Sequence, residues 1–369
     1  MRVNEKVNYQ FKLLYAFGMI FIVAGHCGNG GISLFYDWMP PYAFHIGLFV
    51  FASGYFYKES NEQEIWKYIK KKIKHLLIPL YIYSFVYGLI ANILLARGFT
   101  FVEGLNLYNI LVAPILDGEQ FGLNSGGWFI APLFCVEIFN VVFRKIVPIG
   151  NRRTKEIVVF GLYMMIGILG CIWDMKGYNT GNWLLVSRTL YFLPFYGLGI
   201  LYKNLLEEHD TIKSIYYFGG IIGVLYVIVL KFGDIPRYTP STCNDFTDGP
   251  FMPFIVGFLG VLFWLRVVRI LTPVMKESKV INAIADSSYS IMMNHLMGFM
   301  ILKVLFAYLA QRNAICDFDW SGYKNFLWYC YLPGGYEQSK LLYLVAGIGF
   351  PIMIQKVINV LKRIRRYES

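Results

Sequence analysis

The side chains with chemistry to offer are three histidines set in apolar sequence: His26 in V-A-G-H, His45 in F-H-I-G-L-F and His295 in S-Y-S-I-M-M-N-H. Histidine is costly in hydrocarbon and is seldom kept there without work to do. Imidazole is also the group best suited to moving protons near neutral pH. His26 lies fourteen positions after Lys12, which on one helix is roughly 21 Å of rise and about 40° of azimuth. One helix face would then carry a cation at one membrane boundary and an imidazole in the opposite half. That suits an anionic donor arriving at the first and a reaction completed near the second. The plainer reading has His26 capping the helix end beside Gly25 and Gly28, with Lys12 marking the boundary.

His45 is followed by Phe49 at i+4 and Ser53 at i+8, and reads equally as a catalytic group or as a structural hydrogen-bonding one. Ser53-Gly54 permits a neighbouring helix to approach closely. Ser288 precedes His295 by seven residues on nearly the same face, with Asn294 beside it; such a polar stripe lines a cavity or a helix contact. Glu137 and Arg188 also fall within apolar stretches, either pairing with each other or serving the reaction. In K-Y-I-K-K-K-I-K, Lys67, Lys70, Lys71 and Lys74 fall at i, i+3, i+4 and i+7, one helix face. That stripe suits anionic lipid and equally the phosphates of a nucleotide-containing donor.

Positioning these groups falls to a chain of 369 residues, 57% hydrophobic and only 15% charged, where soluble domains carry about 25% charge. Apolar stretches long enough to cross a bilayer occupy roughly 11–29, 40–57, 76–96, 126–147, 156–174, 183–203, 214–232, 250–271, 286–311 and 339–361. The expected fold is an all-α polytopic membrane protein of about ten transmembrane helices, in a single membrane-embedded domain. With the N-terminus inside, twenty-five Lys and Arg fall in cytoplasmic loops, among them Arg2, Lys6, Arg365 and Arg366. Seven fall outside: Arg97, Lys176, Lys231, Arg237, Arg312, Lys324 and Lys340. Cytoplasmic loops concentrate such cations, so both termini are expected in the cytoplasm. Topology and anionic lipid account for the net charge of +11, and no nucleic-acid partner is needed. The first apolar run is followed at once by another, and reads as a retained helix rather than a signal peptide.

Residues 97–125 contain an apolar run too short to span, and read as an interfacial or re-entrant segment. The loops 233–249 and 312–338 are rich in Asp, Gly, Pro and aromatics, suiting either a polar ligand or the aromatic belt. Six cysteines show no C-x-x-C or metal-ligand spacing, so no metal is expected. Cys316 and Cys330 share one outer loop and read as a disulfide or as free thiols.

Together these pieces resemble the integral-membrane acyltransferase type 3 family, particularly its fucose 4-O-acetylase-like branch. The matching pieces are V-A-G-H, F-H-I-G-L-F-V-F-A-S-G-Y-F, the basic run ending L-L-I-P, G-W-F-I-A-P-L-F, S-R-T-L-Y-F-L-P-F-Y-G-L-G and S-Y-S-I-M-M-N-H, in order from residue 11 to about 300. The resemblance implies a ten-helix glycan O-acetyltransferase of the cell membrane, which takes an acetyl group from cytoplasmic acetyl-CoA and delivers it to a hydroxyl of a cell-surface or lipid-linked glycan. His26 matches the family's catalytic base, and His45 would orient or polarise the reacting pair. Lys12, Lys71, Lys74 and Arg188 would handle donor charge; Ser53, Trp128, Glu137, Ser288, Asn294 and His295 would line the cavity. The chain departs from the family where Tyr15 stands near the position of an arginine, where lysines replace a basic arginine pair, and at Gly47 in place of proline. Expected partners are the glycan and membrane lipid, and a homo-oligomer is compatible with the sequence. A transporter or flippase of a polar or lipid-linked sugar metabolite, or transfer of succinyl or another acyl group, are the alternatives.

Overall fold

Asn8 opens the first helix by accepting a hydrogen bond from the Phe11 amide, and the chain then builds an all-α polytopic membrane protein. The computed structural model describes residues 7–32, 40–147, 150–246 and 248–367. Its helices are α1 (Tyr9–Gly25) and α2 (His45–Tyr55), then α3 (Ile65–Ala96), which joins the lysine stripe to the third apolar stretch. After α4 (Leu107–Leu111) and α5 (Ala113–Leu116) come α6 (Ser125–Ile146), α7 (Arg152–Met175), α8 (Asn182–His209) and α9 (Ser214–Phe232). The rest are α10 (Met252–Met275), α11 (Lys279–Asp286), α12 (Ser288–Gln311), α13 (Trp320–Asn325) and α14 (Lys340–Tyr367). No strand occurs among the described residues; the one β-bridge pairs Thr239 with Asn244. Arg2 and Lys6 lie outside the described residues, as do the side chains of Arg365 and Arg366.

Among the described residues, eight helices are long and apolar enough to cross a membrane. The first two expected spans are shorter: α1 has 17 residues and α2 has 11. Eleven residues rise only about 16 Å, roughly half of a hydrocarbon core. The cause is local. Pro41–Ala43 forms a 3-10 turn, and Phe44, at φ −141, breaks it from α2. Every residue of α2 except Ser53 is buried, so its surroundings are other helices rather than lipid. Residues 97–125 carry the two short helices α4 and α5, with Leu107 and Tyr108 exposed.

The interior depends on small residues where helices meet. A Cβ placed on Gly54 of α2 would sit 2.0 Å from the carbonyl oxygen of Tyr196 in α8. One placed on Gly199 of α8 would sit 2.0 Å from the carbonyl oxygen of Phe51 in α2. The two backbones touch at both places, the close approach that small residues allow between membrane helices.

Most ion pairs among the described residues gather at one end of the bundle, while Lys340–Glu337 and Arg237–Asp234 lie at the other. Lys12 pairs with Asp286 at 2.7 Å, Arg144 with Glu156 at 2.6 Å, and Lys155 with Glu62 at 3.1 Å; Asp210 pairs with both Arg266 and Arg269. The loops carrying the cation excess thus come together. At the opposite end, residues 97–100 meet α13, and Lys340, the first residue of α14, meets the turn after α1. All six cysteines are free. The Cys316–Cys330 disulfide is not formed, because Cys330 turns toward Gly28 while Cys316 is exposed.

Gly54→Ala and Gly199→Ala should each destabilise the bundle by about 1–3 kcal/mol through overpacking. The measurement is a thermal melt of detergent-purified protein, with Gly219→Ala, where a Cβ meets open space, as the neutral control.

Candidate active site

α1 ends at its chemistry. His26 is the residue at which the helix gives way, and Gly28, at φ +71, turns the chain aside; a left-handed glycine is the usual helix terminator. The ring of His26 lies against that of His295 on α12, centroids 5.0 Å apart and planes within 15°. His26 Nδ1 is 2.8 Å from His295 Nε2.

The tautomers follow from the partners. His295 Nδ1 faces the carbonyl oxygens of Ile291 (2.9 Å) and Met292 (3.1 Å). A carbonyl can only accept, so His295 Nδ1 carries the proton and His295 Nε2 presents a lone pair. That lone pair accepts from His26 Nδ1–H, which leaves the lone pair on His26 Nε2. Among the described residues, Nε2 of His26 has no hydrogen-bond partner. His45 repeats the arrangement: its Nδ1 donates to the Pro41 carbonyl at 2.7 Å, leaving Nε2 as an acceptor. Tyr42 stands between the two, edge-on to His45 and 6.4 Å from the His26 ring, with its hydroxyl donating to the Gly25 carbonyl.

His26 and His45 line one cavity of about 740 Å3, together with Ser53, Trp128 and Ser288. It runs along α1 from Tyr15 past Gly25, roughly 15 Å of helix. At one end lie Tyr15, Ser53, Leu76 and Ser288, the last two residues from Asp286, the partner of Lys12. At the other lie Gly28–Gly30, Arg237, Thr239 and Trp328. The cavity therefore connects the ionic end of the bundle with the loops of the opposite end.

The remaining expected residues stand off its wall. His295 is buried behind His26. Asn294 accepts from the Tyr87 hydroxyl and donates to Ser290, tying α3 to α12. Glu137 pairs with Lys72 at 2.5 Å rather than with Arg188. Arg188 donates to the carbonyls of Ser241 and Asp117 and lies 5.1 Å from the Trp128 ring centroid. Lys12 is held by Asp286, and Lys71 and Lys74 are exposed on α3. Tyr42, Glu119 and Trp328 join the wall without a local signal in the sequence. Each comes from a loop, and the Trp328 ring lies tilted by 38° against that of His26, centroids 4.9 Å apart.

The family model of the type 3 acyltransferase domain matches residues 8–332, from the start of α1 to just beyond Trp328. The chain belongs to the type 3 acyltransferases. No curated protein and no solved structure matches it. It is thus an acyl-transferring membrane enzyme, and the matched region holds His26, His295 and nearly all of the loops around them.

In this acyltransferase, three buried cations fasten those loops through carbonyl oxygens. Arg188 holds 241 and 117; Lys303 donates to the Leu327 carbonyl at 2.5 Å, beside Trp328. Lys340 donates to the carbonyls of Asn29 (3.1 Å) and Gly31 (3.0 Å), just after His26. The carboxylate on the wall is Glu119, in the loop between α5 and α6. Burial pushes its carboxyl up to about 7, with the Arg188 guanidinium opposing and Asp117 adding to the rise.

Two outcomes follow. His295→Ala strands the His26 Nδ1–H, a loss of about 1–3 kcal/mol, so acyl transfer should fall about 10- to 100-fold. His295→Gln, which restores an acceptor, should recover part of it, whereas a merely structural role would give no such rescue. For Glu119, the unfolded chain releases its proton near the ordinary value of 4.5 while the folded chain holds it to about 7. Stability is therefore lost as pH rises through that window. Glu119→Gln should melt close to wild type near the acid edge and above it at pH values beyond the window, read by melts across a pH series.

Proposed function

We propose that this acyltransferase moves an acetyl group from cytoplasmic acetyl-CoA to a hydroxyl of a cell-surface or lipid-linked glycan. One observation carries the reading: the free Nε2 of His26 belongs to a ring on the wall of a cavity reaching both ends of the bundle. The thioester enters from the ionic end and the acceptor from the loop end. As the acceptor oxygen attacks the thioester carbonyl carbon, its proton passes to His26 Nε2. The tetrahedral intermediate collapses with cleavage of the C–S bond, and the proton moves from His26 to the departing thiolate. An ester and a free thiol result, and His26 is restored. His295 holds the base in the productive tautomer, and the acceptor lone pair of His45 fits a second hydroxyl beside the reacting one.

Acetyl is favoured by the charges on the wall. Arg237, at the loop end, is the sole Lys or Arg lining the cavity among the described residues. A succinyl carboxylate at the donor end would lack a cationic partner there. A glycan is favoured by the loop end, where Trp328, Tyr42 and Trp128 offer aromatic faces beside the Glu119 carboxylate and the Thr239 hydroxyl. The ionic end carries the cation excess, which supports a cytoplasmic placement of that end and of both termini.

A positioned base contributes about 10²–10⁴ in rate. His26→Ala should therefore lose transfer of label from radiolabelled acetyl-CoA by that factor, with expression and melting near wild type, and cells relying on it should lose glycan O-acetyl groups. Wild-type-like transfer by the variant would overturn the assignment.

A further inference from the structure

A second groove, of about 610 Å3, lies at the loop end of the bundle and shares no residue with the catalytic cavity. Arg97 and Lys324 stand in it with Tyr308, Gln311, Trp320 and Val304. Arg97 terminates α3, and Gly98, at φ +80, closes the helix by donating to the Leu95 carbonyl, while the Phe99 amide donates to that of Leu94. This turn leaves Arg97 exposed at the rim, at the far end of α3 from its lysine stripe. Lys324 comes from α13, fixed there by the Thr100 amide donating to its carbonyl at 3.0 Å and by the Thr100 hydroxyl donating to Asn325 at 2.9 Å. Its ammonium nitrogen lies 3.6 Å from where a Cβ on Gly98 would be, so both cations share one rim. A third, Arg312, lies 5.4 Å from the ring centroid of Tyr308.

Among the described residues, none of these three side chains has a hydrogen bond or an ion pair. Asp319, in the same loop, spends its carboxylate on the Gly322 amide of its own helix. This matters because the loop end is poor in cations: two of its seven line one groove, and a third, Arg312, lies over the ring of the groove residue Tyr308. Below them α12 presents Ile301, Val304, Leu305 and Tyr308, about half exposed, a hydrocarbon-facing strip that ends at the cations. An uncompensated pair of cations above an apolar strip is complementary to a negative headgroup with acyl chains attached.

We propose that this groove binds an anionic glycerophospholipid, its phosphate between Arg97 and Lys324 and its chains along α12. The binding is independent of the acyl-transfer reading. The test is native mass spectrometry of the purified full-length protein, titrated with phosphatidylglycerol or phosphatidylcholine. One phosphatidylglycerol should be retained in preference to phosphatidylcholine. Arg97→Gln combined with Lys324→Gln should weaken its retention about tenfold or more, while Arg97→Lys with Lys324→Arg keeps it. Equal retention of the two lipids by the wild type would overturn the proposal whatever the variants do. So would unchanged retention by the glutamine variant, preferential capture of a polyprenyl phosphate, or displacement of the lipid by inorganic phosphate alone.

Discussion

The contact between His26 and His295 sets the geometry on which the site depends. It requires α1 to stop at the height where α12 is still continuous, since His295 relies on the helical carbonyls of Ile291 and Met292 to set its tautomer. It requires the two rings to lie nearly parallel, their planes within 15°. A buried polar nitrogen without a partner costs of order 1–3 kcal/mol, so each donor in this pair is matched to an acceptor, and the ring left with a lone pair is the one on the cavity wall. The tautomer of His26 is thereby set by a second histidine, whose own proton is held by helical carbonyls.

The same economy of charge shapes the loops. Loop backbone over a cavity cannot satisfy its carbonyls through helix or sheet, and unsatisfied carbonyls are costly away from water. Arg188, Lys303 and Lys340 answer that need, each buried and each donating to loop carbonyls. Lysine and arginine are thus structural on this side, while at the ionic end cations meet carboxylates such as Asp286, Glu156 and Asp210. The two ends differ in what the cations hold: chain termini and connecting loops at one, cavity walls at the other.

What could be read from residues alone tracks how local the cause is. The long spans declare themselves through runs of apolar residues, and His26, His45 and His295 stand out because polar groups in such runs are rare. The short α2 was harder, since an apolar run from 40 to 57 carries no mark that Phe44 breaks it. Glu137 and Arg188 share apolar surroundings, but their partners, Lys72 and the carbonyls of 117 and 241, are set by helix packing that composition does not encode. Trp328, more than three hundred residues from His26, is brought beside it by the Lys303 anchor, and Glu119 joins the wall through a loop of no periodicity. Such long-range pairs become visible only once the helices are placed.

The distribution of cations also bears on how a highly charged donor can react inside a bundle. Lys70, Lys71 and Lys74 are exposed on α3, and Lys12 is engaged by Asp286, so none of these four lines the cavity. The wall between that end and His26 is instead built from Met19, Ile22, Ile46, Phe49 and Leu133. Phosphates would be stripped of water at great cost in such a passage, whereas an uncharged thioester arm would cross it readily. On the proposed reading, the nucleotide end of the donor therefore stays at the cytoplasmic membrane surface among the lysines. Only the neutral arm extends to His26, so no phosphate has to leave water to reach it.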